Sequence, residues 1–173
     1  VLVINSDGDV SYRNANTLGG GGGSSLYGAC NYISGGCYSN ILGGCCNCIN
    51  NSFETTIIGG WSNCTDNVEG STIVGGHDNC IFYCADYSTI VGGRCNQMYG
   101  YDNYYSSIVG GSNNILDFGG EDTSIIAGRC NRIEDYSNCS SILSGCRNKL
   151  YSSGDSSIIS GHCNFVCDSY SSV

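Results

Sequence analysis

Apolar residues in this chain fall in adjacent pairs, and the pairs return every 15 to 18 residues. Each pair follows two small polar residues and precedes a glycine pair or a near substitute. Ser71-Thr72-Ile73-Val74-Gly75-Gly76 and Ser106-Ser107-Ile108-Val109-Gly110-Gly111 show the pattern. Units with this opening begin at Ser24, Ser39, Thr55, Ser71, Ser88, Ser106, Thr123, Ser140 and Ser156, and another starts at Ser171. Two variable residues usually follow, then Asn, any residue, and usually an apolar one, as in Asn79-Cys80-Ile81, Asn131-Arg132-Ile133 and Asn148-Lys149-Leu150. A variable polar stretch leads back to the next unit. The Asn recurs in every complete unit, as Asn31, Asn47, Asn63, Asn79, Asn96, Asn114, Asn131, Asn148 and Asn164.

A unit this short holds two strands and two turns and cannot bury a core alone. Stacked about 4.8 Å apart, successive units pair each strand with its copy above and below. The predicted fold is therefore all-β, a parallel β-solenoid (β-roll) of about nine coils with two short strands each. Gly-Gly is expected to supply the positive φ angles of a sharp turn. The Asn is expected to tolerate the left-handed region and to hydrogen-bond to its copies in neighbouring coils. That role is structural rather than catalytic. Successive strand residues point to opposite faces, so in Ile57-Ile58 or Ile158-Ile159 one side chain fills the coil and the other needs a different cover. An identical face on a partner chain is the simplest cover, and a homotrimer is the expected form. The alternative is a monomer exposing an aliphatic stripe.

Residues 1–23 break the pattern. Val1-Leu2-Val3-Ile4 and Val10-Ser11-Tyr12 read as a β-hairpin around Asp7-Gly8, and Gly19 to Gly23 form a joint into the array at 24–173. The whole reads as a cap or junction on a solenoid that belongs to a longer protein, since the chain lacks an initial Met and stops within a repeat.

Composition narrows the possibilities. Among 173 residues there are 27 glycines and no proline, which suits an uninterrupted array of ladders and does not fit collagen. A net charge of −9 disfavours nucleic-acid binding. Apolar runs such as Ser124-Ile125-Ile126-Ala127 are too short to insert in a membrane. Fourteen cysteines imply either an oxidising destination or the use of Cys as a small packing residue.

Candidate chemistry lies on the outside of the coils. Cys48, Cys64 and Cys80 each follow the Asn in consecutive units, so they stack in one column. Coil spacing lies within the reach of a disulfide, but strand geometry can aim the thiols in parallel, and unbridged thiols are the favoured reading. Cys45-Cys46-Asn47-Cys48, Cys80 with Cys84, and His162-Cys163 with Cys167 have some ligand character, but no paired zinc spacing is present, so neither metal nor cofactor is expected. The residue after the glycine pair varies most and is expected to form one row along the rod. Trp61, His77 and Arg94 on successive coils make that row a possible binding surface for a sugar or a protein. The longest return loop adds Tyr99, Tyr101, Tyr104 and Tyr105 around Asp102. No nucleophile motif accompanies either His, and no carboxylate pair stands out, so an enzyme is not expected. Asn50, Asn63 and Asn138 each open a glycosylation sequon, usable only on a secretory route.

The Ser-Ser-Ile-Ile/Val-Gly-Gly…Asn-x-Ile unit resembles the repeats of trimeric β-roll fibres in phage and giant-virus fibre proteins. More loosely, it is similar to the head repeats of YadA-like trimeric adhesins. The resemblance implies a trimeric shaft on a virion surface that projects or performs attachment to a host glycan or protein receptor. A cellular surface adhesin or extracellular filament subunit is the alternative, and an ice-binding solenoid a minor one.

Overall fold

The computed structural model describes residues 2–4, 10–12, 24–101, 103–118, 120–167, 172 and 173. Among these residues there is no helix. A two-stranded sheet joins β1 (Leu2–Ile4) to β2 (Val10–Tyr12), antiparallel, with Leu2 opposite Tyr12 and Ile4 opposite Val10. The turn at Asp7-Gly8 and the joint at Gly19 to Gly23 lie outside the described residues.

The repeat array forms two nine-stranded parallel sheets. Odd-numbered strands from β3 (Ser25–Ala29) to β19 (Ser157–Ile158) build one; even-numbered strands from β4 (Tyr32–Ser34) to β20 (Phe165–Val166) build the other. Each strand pairs with the equivalent strand one unit away, so the chain is a β-solenoid and sequence neighbours lie in opposite sheets. Register is kept residue for residue: Thr56, Thr72, Thr89 and Ser107 are successive partners, as are Ile57, Ile73, Ile90 and Ile108. A third row of single parallel bridges runs through Cys45, Trp61, His77, Arg94, Ser112, Arg129, Cys146 and His162. The residue after the glycine pair thus has a fixed place in every coil.

Two aliphatic columns fill the interior. Ile41, Ile57, Ile73, Ile90, Ile108, Ile125, Ile142 and Ile158 come from one sheet and are fully buried. Ile33, Ile49, Ile81, Met98, Leu116, Ile133, Leu150 and Val166 face them from the other. Thr65 sits in the second column between Ile49 and Ile81, buried, with no partner for its hydroxyl.

Left-handed residues turn the corners, but not where the sequence suggested. The ladder Asn residues do not take positive φ. The residue before each one does, as at Cys46 (φ 59), Ser62 (φ 53), Asp78 (φ 56) and Cys95 (φ 54). A second corner precedes each unit's opening Ser or Thr, at Glu54, Tyr87, Tyr105 and Asp122 for example. A third precedes buried Ser52, Val68, Ala85, Ser137 and Ser153. At these three corners the left-handed residue swings the next side chain inward. The strain, about 1–2 kcal/mol at each non-glycine position, is held in place by hydrogen bonds to both neighbouring coils.

The glycine pair also divides its labour. Only the second glycine needs to be glycine: Gly76 has φ +88, and a Cβ there would lie 2.3 Å from the Gly93 carbonyl oxygen. Gly75 has no positive φ, and a Cβ on it meets nothing within 4 Å. The sequence agrees, because later coils keep the second glycine and replace the first, in Ala127-Gly128, Ser144-Gly145 and Ser160-Gly161. Gly76→Ala is therefore expected to destabilise the fold by roughly 2 kcal/mol or more, and Gly75→Ala to change it by under about 0.5 kcal/mol. Chemical denaturation of the two variants measures both. Equal losses would contradict this division.

Candidate functional site

The recurrent Asn residues lie inside the coil, in a single line. The backbone N–H of Asn79 donates to Oδ1 of Asn63 at 3.0 Å, that of Asn96 to Asn79 at 3.0 Å, and that of Asn114 to Asn96 at 3.1 Å. The same bond joins Asn31 to Asn47 at one end and Asn148 to Asn164 at the other. From Asn47 to Asn148 each side-chain amide also donates twice. Nδ2 of Asn96 reaches the Gly92 carbonyl in its own coil at 3.0 Å and the Gly111 carbonyl in the next at 3.2 Å. Every polar atom of this buried side chain is therefore used, and from Asn47 to Asn148 the column is fully buried. Asn63 belongs to it: its amide nitrogen is committed to the Gly59 and Gly76 carbonyls, so its sequon is closed to a glycan.

A second internal column escaped the sequence reading. The opening Ser or Thr is buried from Ser39 to Ser156, and where it is Ser, from Ser24 to Ser140, its hydroxyl oxygen accepts the backbone N–H of its copy one coil on. Ser88 N–H donates to Ser71 Oγ at 3.0 Å, Ser106 to Ser88 at 3.1 Å, and Thr123 to Ser106 at 3.2 Å. The hydroxyl then donates to a carbonyl, as Ser88 does to Asn103 at 2.8 Å. The signal was available: the first residue of each opening pair is Ser or Thr in every unit.

On the outer face of the second sheet, Cys48, Cys64 and Cys80 are direct register partners in β6 (Cys48–Asn50), β8 (Cys64–Asp66) and β10 (Cys80–Phe82). All three thiols are free and half-buried. The Cys64 S–H donates to Cys48, which lowers the Cys48 pKa and, together with burial, raises that of Cys64. Burial, reinforced by the Asp78 carboxylate, pushes the Cys80 thiol up to about 11. Cys48 is thus the thiol in this column most ready to ionise.

Trp61, His77 and Arg94 are neighbours in the bridged row, Trp61 and Arg94 exposed and His77 half-buried. The Trp61 and His77 rings meet edge to face, with centroids 6.1 Å apart and planes at 84°. His77 Nδ1 lies 3.4 Å from Asp78 Oδ2. The four loop tyrosines do not form one patch. Tyr99 lies on the sheet in β12 (Gln97–Tyr99), half-buried, its hydroxyl pKa raised by burial and by Asp117. Tyr101 is exposed and Tyr104 half-buried; Asp102 lies outside the described residues. Tyr105 instead stacks on Tyr87 of the preceding coil, with centroids 5.6 Å apart and planes at 19°. Both precede a ladder serine, an equivalence visible in the repeat once the corners are known. A chain of opposite charges decorates later coils, where Arg132 bonds Asp117 at 2.7 Å and Glu134 joins Arg132 to Lys149.

Compared with protein-family models and with curated proteins, the sequence matches none. Among the described residues, no helix is long and apolar enough to cross a membrane. What the arrangement offers chemically is a stiff array of external columns, each repeating a position at coil spacing.

Two outcomes test these columns. Asn96→Ala leaves the Asn114 N–H and the Gly92 carbonyl without their partner, and takes from the Gly111 carbonyl one of its two donors, at about 1–3 kcal/mol per orphaned group. A loss of roughly 3 kcal/mol or more is expected in urea denaturation, and a loss below 1 kcal/mol would show that water or backbone replaces the side chain. For the thiols, a Cys80 pKa raised above its ordinary 9.0 favours the folded state below pH 9.0, and that contribution fades as pH rises towards about 11. The stability difference between the native protein and Cys80→Ala is therefore expected to shrink across that window. A difference that grows with pH would reverse the assignment.

Proposed function

We propose that the chain is the shaft of a fibre or spike on a virus particle, assembled as a homotrimer, which projects or performs attachment to the host surface. One observation carries the assembly. The second residue of each apolar pair points away from the interior, and Tyr27, Leu42, Ile58, Val74, Val91, Val109, Ile126, Leu143 and Ile159 form an exposed line along the coils, from 38% (Val74) to 60% (Ile159) accessible. At coil spacing this stripe is close to 40 Å long, roughly eight steps of 4.8 Å. A continuous apolar stripe of this kind marks an interaction surface.

Next to the stripe runs the first residue of each glycine pair. At Gly59, Gly75, Gly92 and Gly110, neither φ nor intrachain space calls for glycine. Later coils carry Ala127, Ser144 and Ser160 there, all still small. A ledge kept free of side chains, beside a ridge of aliphatic ones, lets another backbone approach closely. Three copies arranged about an axis bury every stripe with no face left over. The resemblance of the repeats to trimeric β-roll fibres supports the same number and supplies the viral setting. The row of Trp61, His77 and Arg94 stays outside such an assembly as the candidate contact with a host glycan or protein. The net charge of −9 keeps neighbouring rods apart.

Sedimentation equilibrium is expected to give about three times the chain mass of 18.2 kDa. Val74→Asp with Val109→Asp is expected to reduce it to one chain mass with the β-rich circular dichroism kept. A native protein that sediments as a monomer would overturn the trimer. Immunogold labelling with antibodies to the array tests the setting. Label on virus particles supports it, and label confined to cell envelopes contradicts it.

A further inference from the structure

Adjacent residues in a strand point to opposite faces, so Cys45 and Cys46 should be unable to act together. The corner changes this. Cys45 ends β5 (Asn40–Cys45), and Cys46 takes the left-handed conformation at φ 59, so the two Sγ atoms lie 3.3 Å apart. Cys30 occupies the matching corner one coil earlier, also left-handed at φ 54. Stacking holds the two corners together, with Cys46 N–H donating to the Ala29 carbonyl at 3.1 Å. All three Sγ atoms lie within 4.8 Å of one another, and among the described residues this is the one place where three such ligand atoms converge.

We propose that Cys30, Cys45 and Cys46 form a three-thiolate site for a thiophilic divalent cation of the Zn²⁺ class, with a fourth position open to water. Metal–sulfur bonds of about 2.3 Å in a tetrahedral site set sulfur atoms about 3.8 Å apart, against 3.3 Å between Cys45 and Cys46 and at most 4.8 Å for any pair here. Cys30 and Cys46 are exposed and Cys45 half-buried, so an ion can enter without opening the coil. Binding exchanges three S–H bonds for three metal–sulfur bonds and releases three protons, with no change of oxidation state. The ion ties the first coil of the array to the second.

Comparison within the array shows why the site is confined to these coils. Other corners also carry Cys, at Cys95, Cys130 and Cys163, but Arg94 and Arg129 precede the first two, and the corner one coil before Cys163 is Arg147. The column of Cys48, Cys64 and Cys80 is linear, its outer members separated by two coil steps of about 4.8 Å each, too far for one ion to bridge all three.

The test is titration of the reduced, full-length chain with Co²⁺, followed by displacement with Zn²⁺. One equivalent is expected to produce the near-ultraviolet thiolate-to-cobalt charge-transfer band, and Zn²⁺ to abolish it. Cys30→Ser, Cys45→Ser and Cys46→Ser should each lose tight binding by tenfold or more while keeping the β-rich circular dichroism. The protein carrying Cys48→Ser, Cys64→Ser and Cys80→Ser together should keep it. Absence of one-equivalent binding overturns the site, as does a band that survives the first set of changes or disappears with the second. A Cys30–Cys46 disulfide mapped in freshly isolated protein assigns these thiols to a covalent staple and overturns it too.

Discussion

The structure depends on the Asn side chain completing the backbone ladder where the backbone turns away from it. Along a strand, N–H and C=O groups meet their copies in neighbouring coils without help. At a sharp corner the carbonyls tilt and the following N–H loses its natural acceptor. The Asn carboxamide is the backbone's own chemistry on a short arm, and it restores both halves. Its oxygen takes the N–H of the next Asn, and its nitrogen serves one carbonyl in its own coil and one in the next. Buried polar groups are costly when left unpaired, and a solenoid repeats any such cost in every coil. Aspartate would lack the donor, and glutamine has a longer arm to order.

The opening Ser or Thr solves the same problem at another corner with a smaller group. Two polar columns, two aliphatic ones and the mixed line of Ser52, Val68, Ala85, Asn103, Ser137 and Ser153 at the third corner make the interior a bundle of five parallel lines, each built from one repeated position. That thinness explains the composition. There is no room for large internal aromatics, and among the described residues every Tyr, Phe and Trp is outside the buried core. Proline would remove a ladder N–H that has a partner on the coil beside it. Glycine is obligatory at the inner turn because the carbonyl of the next coil occupies the space of a Cβ.

Much of this was legible in the sequence because a solenoid writes each spatial column as a sequence period. Coil number, parallel pairing, the split of each apolar pair between inside and outside, and the row from Cys45 to His162 all follow from counting. The corners were less legible. Backbone handedness belongs to the residue before Asn, which varies among Cys, Ser, Asp, Asn and Arg and carries no compositional mark. The buried hydroxyl column was hidden because Ser is common on surfaces and in turns. The meeting of Cys30 with Cys45 and Cys46 needed both facts together: the repeat places Cys30 beside Cys46, but only the left-handed corner brings Cys45 to the same side. Tyr87 on Tyr105 was concealed for the same reason.

The outward columns are free to vary, and they do. The stripe of second apolar residues and its glycine ledge hold their character through the array, while the Cys column gives way to Gln97, Ile115, Arg132 and Lys149 on the same face. The solenoid holds together only if the internal Asn column acts as one cooperative structure. Native-state hydrogen exchange at the backbone amides of Asn63, Asn79, Asn96 and Asn114 tests this most directly. Their protection is predicted to be among the strongest in the chain and to be lost together with that of the buried Ile strands. Exchange at the rate of exposed turns, each amide independent of the next, would contradict it.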